Sequence, residues 1–320
     1  MGGLFAVLIT VTFGLAFNSV QSNTMSAALQ SAFSIEPLNS GIVISVLTLV
    51  IIFGGVHRIA AISSVIVPVM AVGYIALALF VVLANIDRIP AVVEQIVGNA
   101  FGWHQAVGGG IGTALMQGIK RGLFSNEAGM GSAPNAAATA HVTHPAKQGF
   151  IQALGVYTDT LLICSCTAFI ILFGEDYVGS GLDGIQLTQA ALTSEVGNIG
   201  GIYVAIATLF FAYSSILGIY YYGEANIRFF TSRQWPVVLY RMLVGGMVLF
   251  GSLASLNLVW NLADVTMALM SICNLIAIFL LGKYAFRLLD DYLAQKRKGI
   301  KSPVFHKEQM KDIEQDLECW

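Results

Sequence analysis

Long apolar runs alternate with short polar connections along the chain, and a helix needs about 20 apolar residues to cross roughly 30 Å of hydrocarbon. By that ruler the pattern predicts about eight crossings: residues 3–32, 41–55, 60–84, a broken one over 104–140, then 149–173, 199–223, 236–255 and 258–282. Lys and Arg should then collect in alternate connections. His57 with Arg58, Lys147, Arg228 with Arg233, and the group Lys283, Arg287, Lys296, Arg297 and Lys298 fall on one side. Glu36, then Asp87, Arg88 and Glu94, then Glu175, Asp176, Asp183 and Glu195 fall on the other, with a single basic residue among them. Alternating spans in that number place both termini in the cytoplasm. Residues 1–282 are thus expected to form a transmembrane domain, and the charged, amphipathic residues 283–320 a cytoplasmic tail carrying a surface helix.

The pattern fails at one place. Residues 118–137 read GIKRGLFSNEAGMGSAPNAA, with Lys120, Arg121, Asn126 and Glu127 among four glycines and Pro134 at span depth. Gly108, Gly109, Gly110 and Gly112 lead into it. Glycine admits positive φ and proline removes a donor, so the helix is expected to break here. Bare backbone in hydrocarbon costs several kcal/mol per unsatisfied group, so such a break survives only against protein or a watery cavity. Freed N–H and C=O groups, with half-helix dipoles, are then ligands for a small polar solute and its ion. A re-entrant or cytoplasmic loop is the plainer alternative.

Other polar residues fall inside the spans. Asn18, Gln21 and Asn23 lie in the first, with Gln21 on the face of Asn18. Asp159 is mid-span in VYTDTLLICS; Ser214 and Ser215 interrupt FFAYSSILG, with Glu224 and Asn226 beyond; Asp264 accompanies Asn261 in LVWNLADVTM. An ionised Asp at a helix centre costs roughly 2.5–3.5 kcal/mol on insertion scales, so each is a candidate site. Interhelical hydrogen bonding is the competing reading for Asp159 and Asp264 and the expected one for Gln30, Asn274 and Thr208. His141 and His144 lack acidic or thiol partners for a metal and are expected at the interface. Pro68 is expected to kink its span, and Tyr220, Tyr221 and Tyr222 to join an interfacial aromatic belt.

Composition narrows the class. Of 320 residues, 56% are hydrophobic and 11% charged, with mean hydropathy +0.76, against about 25% charged in an ordinary globular domain. This describes an integral membrane protein. A net charge of −2 offers no field for nucleic acid. Cys164, Cys166, Cys273 and Cys319 form neither a disulfide framework nor a zinc pattern and are expected as free thiols. The opening MGGLFAVLIT has no basic n-region, Ala6 spoils a myristoylation pattern and Cys319 is too near the end for prenylation, so no address label is expected.

GLFSNEAGMGSAPNAA, together with FNSVQSNT (17–24), FAYSSILGIYYYGEAN (211–226) and VWNLADVTMALMSICNLIA (259–277), closely resembles the alanine/glycine:cation symporter family, also called sodium:alanine symporters. The resemblance implies the all-α fold of the amino acid–polyamine–organocation superfamily, a polytopic bundle of two inverted five-helix repeats. Residues 104–282 would complete the second repeat. Residues 3–84 would supply the third to fifth helices of a partial first repeat, so the chain reads as lacking that repeat's first two helices. The implied substrate site is Gln21 with Phe124, Ser125, Asn126 and Glu127; the implied sodium ligands are the hydroxyls of Ser214 and Ser215. Asp159 matches a carboxylate of the family's seventh helix, with no role assigned. The implied activity is alternating-access symport of alanine or glycine with Na⁺ in the cell membrane, Na⁺ being the coupling ion and no cofactor being required.

Other classes compete. A membrane-embedded enzyme would use Glu127, Asp159 and Asp264 as acid/base groups, but the paired Asp-rich or His-rich motif of a metal-dependent lipid enzyme is missing. Nothing suggests the ring or filter repeat of a channel. A transport-incompetent piece of a symporter is the remaining alternative.

Overall fold

The computed structural model describes residues 1–54, 56–101, 109–174, 180–310 and 312, with backbone alone for 56–64, 66, 67, 109–111 and 309. Gly108, Glu175, Asp176, Cys319 and the side chains of His57, Arg58, Gly109 and Gly110 therefore lie outside the described residues.

Regular structure among the described residues is helical throughout. In chain order the helices are α1 (Gly2–Phe33), α2 (Pro37–Phe53), α3 (Val56–Ala84), α4 (Ile89–Ala100), α5 (Gly109–Asn126) and α6 (Ala133–Ala137). They continue as α7 (Pro145–Phe173), α8 (Ile185–Val196), α9 (Asn198–Phe230), α10 (Gln234–Leu253) and α11 (Leu256–Arg297). Five of them, α1, α7, α9, α10 and α11, are long and apolar enough to cross a membrane.

The remaining expected crossings take other forms. The one at 41–55 is the 17-residue apolar α2, about 26 Å long at 1.5 Å per residue. The one at 60–84 is the 29-residue α3. Beyond Pro68 it meets the following helical segment, Ile86–Ala100, at 76°, a bent pair that could together make one further span. The broken one is α5 and α6 with residues 127–132 between them. Helices α4 and α8 occupy connections where no regular structure was expected.

Helix α1 is the centre of the bundle. In its most apolar stretch 56% of residues are buried, against 17% in α7, although its second half is its more polar part. Asn18, Ser19, Ser22, Asn23 and Ser26 are all buried. Their groups find local partners: Ser19 donates to the Ala16 carbonyl (2.7 Å) and Ser22 to that of Ser19 (3.1 Å). Asn23 donates to the carbonyls of Gly251 (2.9 Å) and Ala254 (2.8 Å) on the last turn of α10. Small residues let the backbones approach closely enough for this, as in membrane helix pairs generally.

Helix α1 also carries a π-helical stretch, Thr12–Phe17. The wider turn misaligns carbonyls, and the Asn18 amide collects them, donating to Gly14 O (2.8 Å) and Phe13 O (3.2 Å). One core joins Ile9, Phe13, Phe17 and Val20 of α1 to Met130, Ile219 of α9 and Val259, Ala263, Met267 and Met270 of α11. A second joins α3, α7, α8 and α9 around Tyr74, Ile170, Phe173, Leu192 and Val204.

The charged segment beyond Gly282 begins as an uninterrupted continuation of α11 to Arg297 rather than a separate helix. After Gly299 (φ +80°) the chain turns back, and Phe305 N donates to Thr143 O (3.0 Å) while Thr143 Oγ1 donates to Pro303 O (2.9 Å). His144 is buried beneath this segment instead of facing an interface. Its Nδ1 caps α7 by accepting from Ala146 N, and its Nε2 lies 3.1 Å from Asp291. Arg287 grips Asp312 with two 2.8 Å contacts and holds its carboxyl below the ordinary carboxylate range.

The α1–α10 contact generates a test. A Cβ at Gly251 would press on the Ser19 carbonyl and the Ser22 hydroxyl, whereas one at Gly246 meets nothing within 4 Å. In thermal unfolding of the detergent-solubilised chain, Gly251→Ala will cost about 1–3 kcal/mol as an overpacked contact, and Gly246→Ala, which adds helix propensity without a clash, will hold or slightly raise the midpoint. Equal midpoints would mean that α1 does not rest on α10 through this glycine.

Candidate functional site

Helix α5 stops because its next residues leave helical space. Glu127 takes φ +57°, Gly129 φ +88° and Gly131 φ +89°, a left-handed sequence of the kind that ends helices and that glycine adopts without strain. The unwound stretch is closely partnered. Asn126 Oδ1 accepts from Ala128 N (2.9 Å), Glu127 N donates to Leu123 O (3.0 Å) and Met130 N to Glu127 O (3.2 Å). The Ser132 hydroxyl donates to the Glu127 carboxylate at 2.5 Å. From α11, Asn274 donates to Gly129 O (2.8 Å); from α9, Asn226 donates to Asn135 Oδ1 (2.8 Å). Met130 is fully buried and anchors the loop in the α1–α11 core.

The basic pair in α5 is also accounted for. Lys120 and Arg121 both reach Asp264 of α11, at 3.2 and 2.5 Å. The Arg121 guanidinium lies 4.1 Å from the centre of the Trp260 ring. Trp260 packs on Phe124 (4.6 Å), Phe124 on Phe17 (4.6 Å) and Phe17 on Phe13 (4.7 Å), so an aromatic column runs from the ion cluster toward the centre of α1. Asp264 and Asn274 are thus interhelical hydrogen-bonding groups, the plainer of the two expectations for Asp264.

Between α1, the end of α5 and α9 lies a cavity of about 380 Å³. Gln21, Phe124, Ser125, Glu127 and Ser215 all line it, joined by Phe17, Gly218, Ile219 and Tyr222. Two other expected residues stand apart. Asn126 turns to the opposite face of the break, donating to Thr160 Oγ1 (3.1 Å) and lining a second cavity of about 350 Å³. Ser214 does not line the central cavity. It and Ser215 both donate to Phe211 O, at 2.8 and 3.0 Å, so their hydroxyl protons point into the helix and their oxygen lone pairs remain available to a hard cation.

Asp159 sits in the π-helical stretch Thr158–Cys164 of α7 and accepts from Ser125 Oγ at 2.6 Å. The three carboxylates considered for an enzyme are therefore each engaged differently: Asp264 by two cations, Glu127 by Ser132 and Asp159 by Ser125. Gln21 and Ser215 also border a third, more apolar cavity of about 270 Å³ toward α8.

The tyrosine run departs from the expected interfacial belt. Tyr220 is fully buried, its hydroxyl bonded to Glu224, which also pairs with Arg228 (2.7 Å) and Arg241 (3.1 Å). Tyr222 lines the central cavity. Helical spacing could have found it: Ser215, Gly218, Ile219 and Tyr222 stand at i, i+3, i+4 and i+7, one face of α9. Phe17, one turn before Gln21, was legible in the same way.

Residues 1–307 match the sodium:alanine symporter family. The "Probable sodium/glutamine symporter GlnT" of Bacillus subtilis (strain 168) is 54% identical over the whole of this chain, which covers 66% of that relative. The "Amino-acid carrier protein AlsT" of the same organism is 52% identical, with 100% of this chain and 68% of the relative covered. The "Sodium/alanine symporter AgcS" of Methanococcus maripaludis is 39% identical over 84% of this chain and 60% of the relative. The chain spans about two thirds of the length of these curated relatives. With five membrane-length helices and this match over nearly its whole extent, the chain is a multi-pass membrane protein and belongs to the sodium:alanine symporter family.

Proposed function

We propose that this chain carries the site of a secondary symporter that moves a small neutral amino acid, alanine or glycine, together with Na⁺ by alternating access across the cell membrane, with both termini in the cytoplasm. The observation that carries the reading is the central cavity, where Gln21 of α1, Phe124, Ser125 and Glu127 at the break, and Ser215 of α9 share one wall. Gln21 offers an amide, the end of α5 offers peptide groups and a carboxylate, and Phe17, Phe124 and Ile219 surround a small apolar side chain. Ser215 would offer Na⁺ a hydroxyl oxygen in the cavity wall, and its neighbour Ser214 a second one from just outside that wall. Coupling has an energetic motive: one charge moving down about 100 mV releases roughly 2.3 kcal/mol, enough for about 50-fold accumulation of a neutral solute.

A second reading, in which the chain binds its solute without carrying it across, is favoured by one observation. Ser125, Thr158 and Thr160 are exposed on α5 and α7 beside the site; each hydroxyl has a protein partner, in Asp159, the Leu154 carbonyl and Asn126, but no described residue covers that flank.

Both readings meet in one experiment, alanine uptake by this chain in proteoliposomes under an imposed Na⁺ gradient, with binding measured in parallel. Accumulation above the external concentration that falls at least about tenfold in the Ser214→Ala/Ser215→Ala double variant is expected. Uptake unchanged in that variant counts against the sodium assignment, and binding without uptake favours the second reading. The ion cluster behind Phe124 gives a further expectation. Asp264→Asn leaves Lys120 and Arg121 without their anion and should cost about 1.5–3 kcal/mol of thermal stability, the scale of a charged hydrogen bond. In a cycle with Arg121→Gln the two losses should not add; additive losses would mean that the pair does not hold α5 to α11.

A further inference from the structure

We propose that the cavity on the far side of the break is a second solute station, taking the same class of small zwitterionic amino acid between the central cavity and the end of the bundle near α6. The proposal rests on the functional reading above and adds a site to it. The two spaces are neighbours: Glu127 and Tyr222 each line both. They are also of similar size, about 350 and 380 Å³, within the range of small-molecule sites.

The lining is not that of a packing defect. Dry voids in proteins are walled by apolar side chains, whereas this one is bordered by the side chains of Asn126, Gln152 and Asn274 and by the unwound stretch itself. Asn274 spends its amide nitrogen on Gly129 O, leaving its oxygen as an acceptor toward an ammonium. Gln152 has no hydrogen-bond partner among the described residues. Its side-chain amide lines the cavity uncommitted, able both to donate to and to accept from a polar solute. Gly155 also lines it, and a Cβ there would meet nothing within 4 Å, so the position has room for a larger side chain.

Depth places the cavities in sequence. Along α9 the outer cavity is bordered from Val204 to Ser215, the central one from Ser215 to Tyr222, and the second station at Tyr222. That is about 27 Å of helix at 1.5 Å per residue, close to the thickness of the hydrocarbon layer. A solute crossing the membrane along α9 meets the Gln21–Ser215 boundary first and the Glu127–Tyr222 boundary second.

Two variants at one position test this. Gly155→Trp fills the station without touching the central cavity, so Na⁺-driven alanine uptake should fall at least about tenfold while alanine binding in detergent stays within about twofold. Uptake at the wild-type rate overturns the proposal and leaves the functional reading intact. If the tryptophan also abolishes binding, Gly155→Cys decides: saturating alanine with Na⁺ should slow its modification by a small thiol reagent at least about threefold, read by mass spectrometry of the peptide containing residue 155. Modification at an unchanged rate overturns the station. A wild-type chain that neither binds nor moves alanine removes the functional reading, and the station falls with it.

Discussion

A peptide unit without a partner inside the bilayer costs several kcal/mol, and every feature near residues 126–132 answers to that cost. The stretch does not float in a cavity. Its first turn is closed by Asn126 and by the Leu123 carbonyl, its middle is tied to α11 by Asn274, and its far end to α9 by Asn226 through Asn135. Met130 drives an apolar anchor into the same core. With its backbone held from two helices, the break can present Ser125, Asn126 and Glu127 on different faces without collapsing back into helix. The left-handed residues are the geometric counterpart: two are glycines, and the third, Glu127, has its carboxylate fixed by Ser132.

The same constraint explains why the bundle centres on an apolar helix whose second half is rich in buried Ser and Asn. A Leu-rich α1 would meet lipid and protein equally well, so it would gain little by being inside. Buried Ser and Asn residues instead make the interior the place where α1's hydrogen bonds can be met, by its own carbonyls or by the end of α10. The small side chains then bring α1 close enough to α9 and α10 that the π-helical stretch, with Phe13 and Phe17, packs against α11 as well. Gln21 faces the cavity as a result of that placement.

Much of this was legible in the chain. The break follows from eight glycines and a proline around Ser125, Asn126 and Glu127, because local backbone chemistry decides it. The long spans follow from length and hydropathy. What was illegible depended on partners far away in sequence. Tyr220 looked interfacial because three adjacent tyrosines end a span, yet Glu224, Arg228 and Arg241 form an ionic cluster that takes its hydroxyl inside. His144 looked interfacial because no acidic or thiol partner accompanies it in sequence, yet Asp291 of α11 and the return of residues 300–305 take it inside. Ser214 and Ser215 were read as a pair, but neighbours on a helix point 100° apart, and only Ser215 faces the central cavity.

The distribution of charge follows from where those partners lie. Basic side chains in the bundle are drawn off into two clusters away from the cavity floor: Lys120 and Arg121 on Asp264, and Arg228 with Arg241 on Glu224. Glu127 and Asp159 have no basic partner among the described residues and are held by serine hydroxyls. A hydroxyl donor orients a carboxylate without supplying a countercharge, so neither group is paired with a cation of the chain among the described residues. On the proposed reading, an arriving Na⁺ would meet the Ser215 hydroxyl and the Glu127 carboxylate with no ammonium or guanidinium of the described residues lining the same cavity. A zwitterionic solute entering beside it would bring a carboxylate for the cation, rather than a protein base, to balance. On that reading the two cargoes would bind better together than apart, the mutual dependence that a symporter requires of its site.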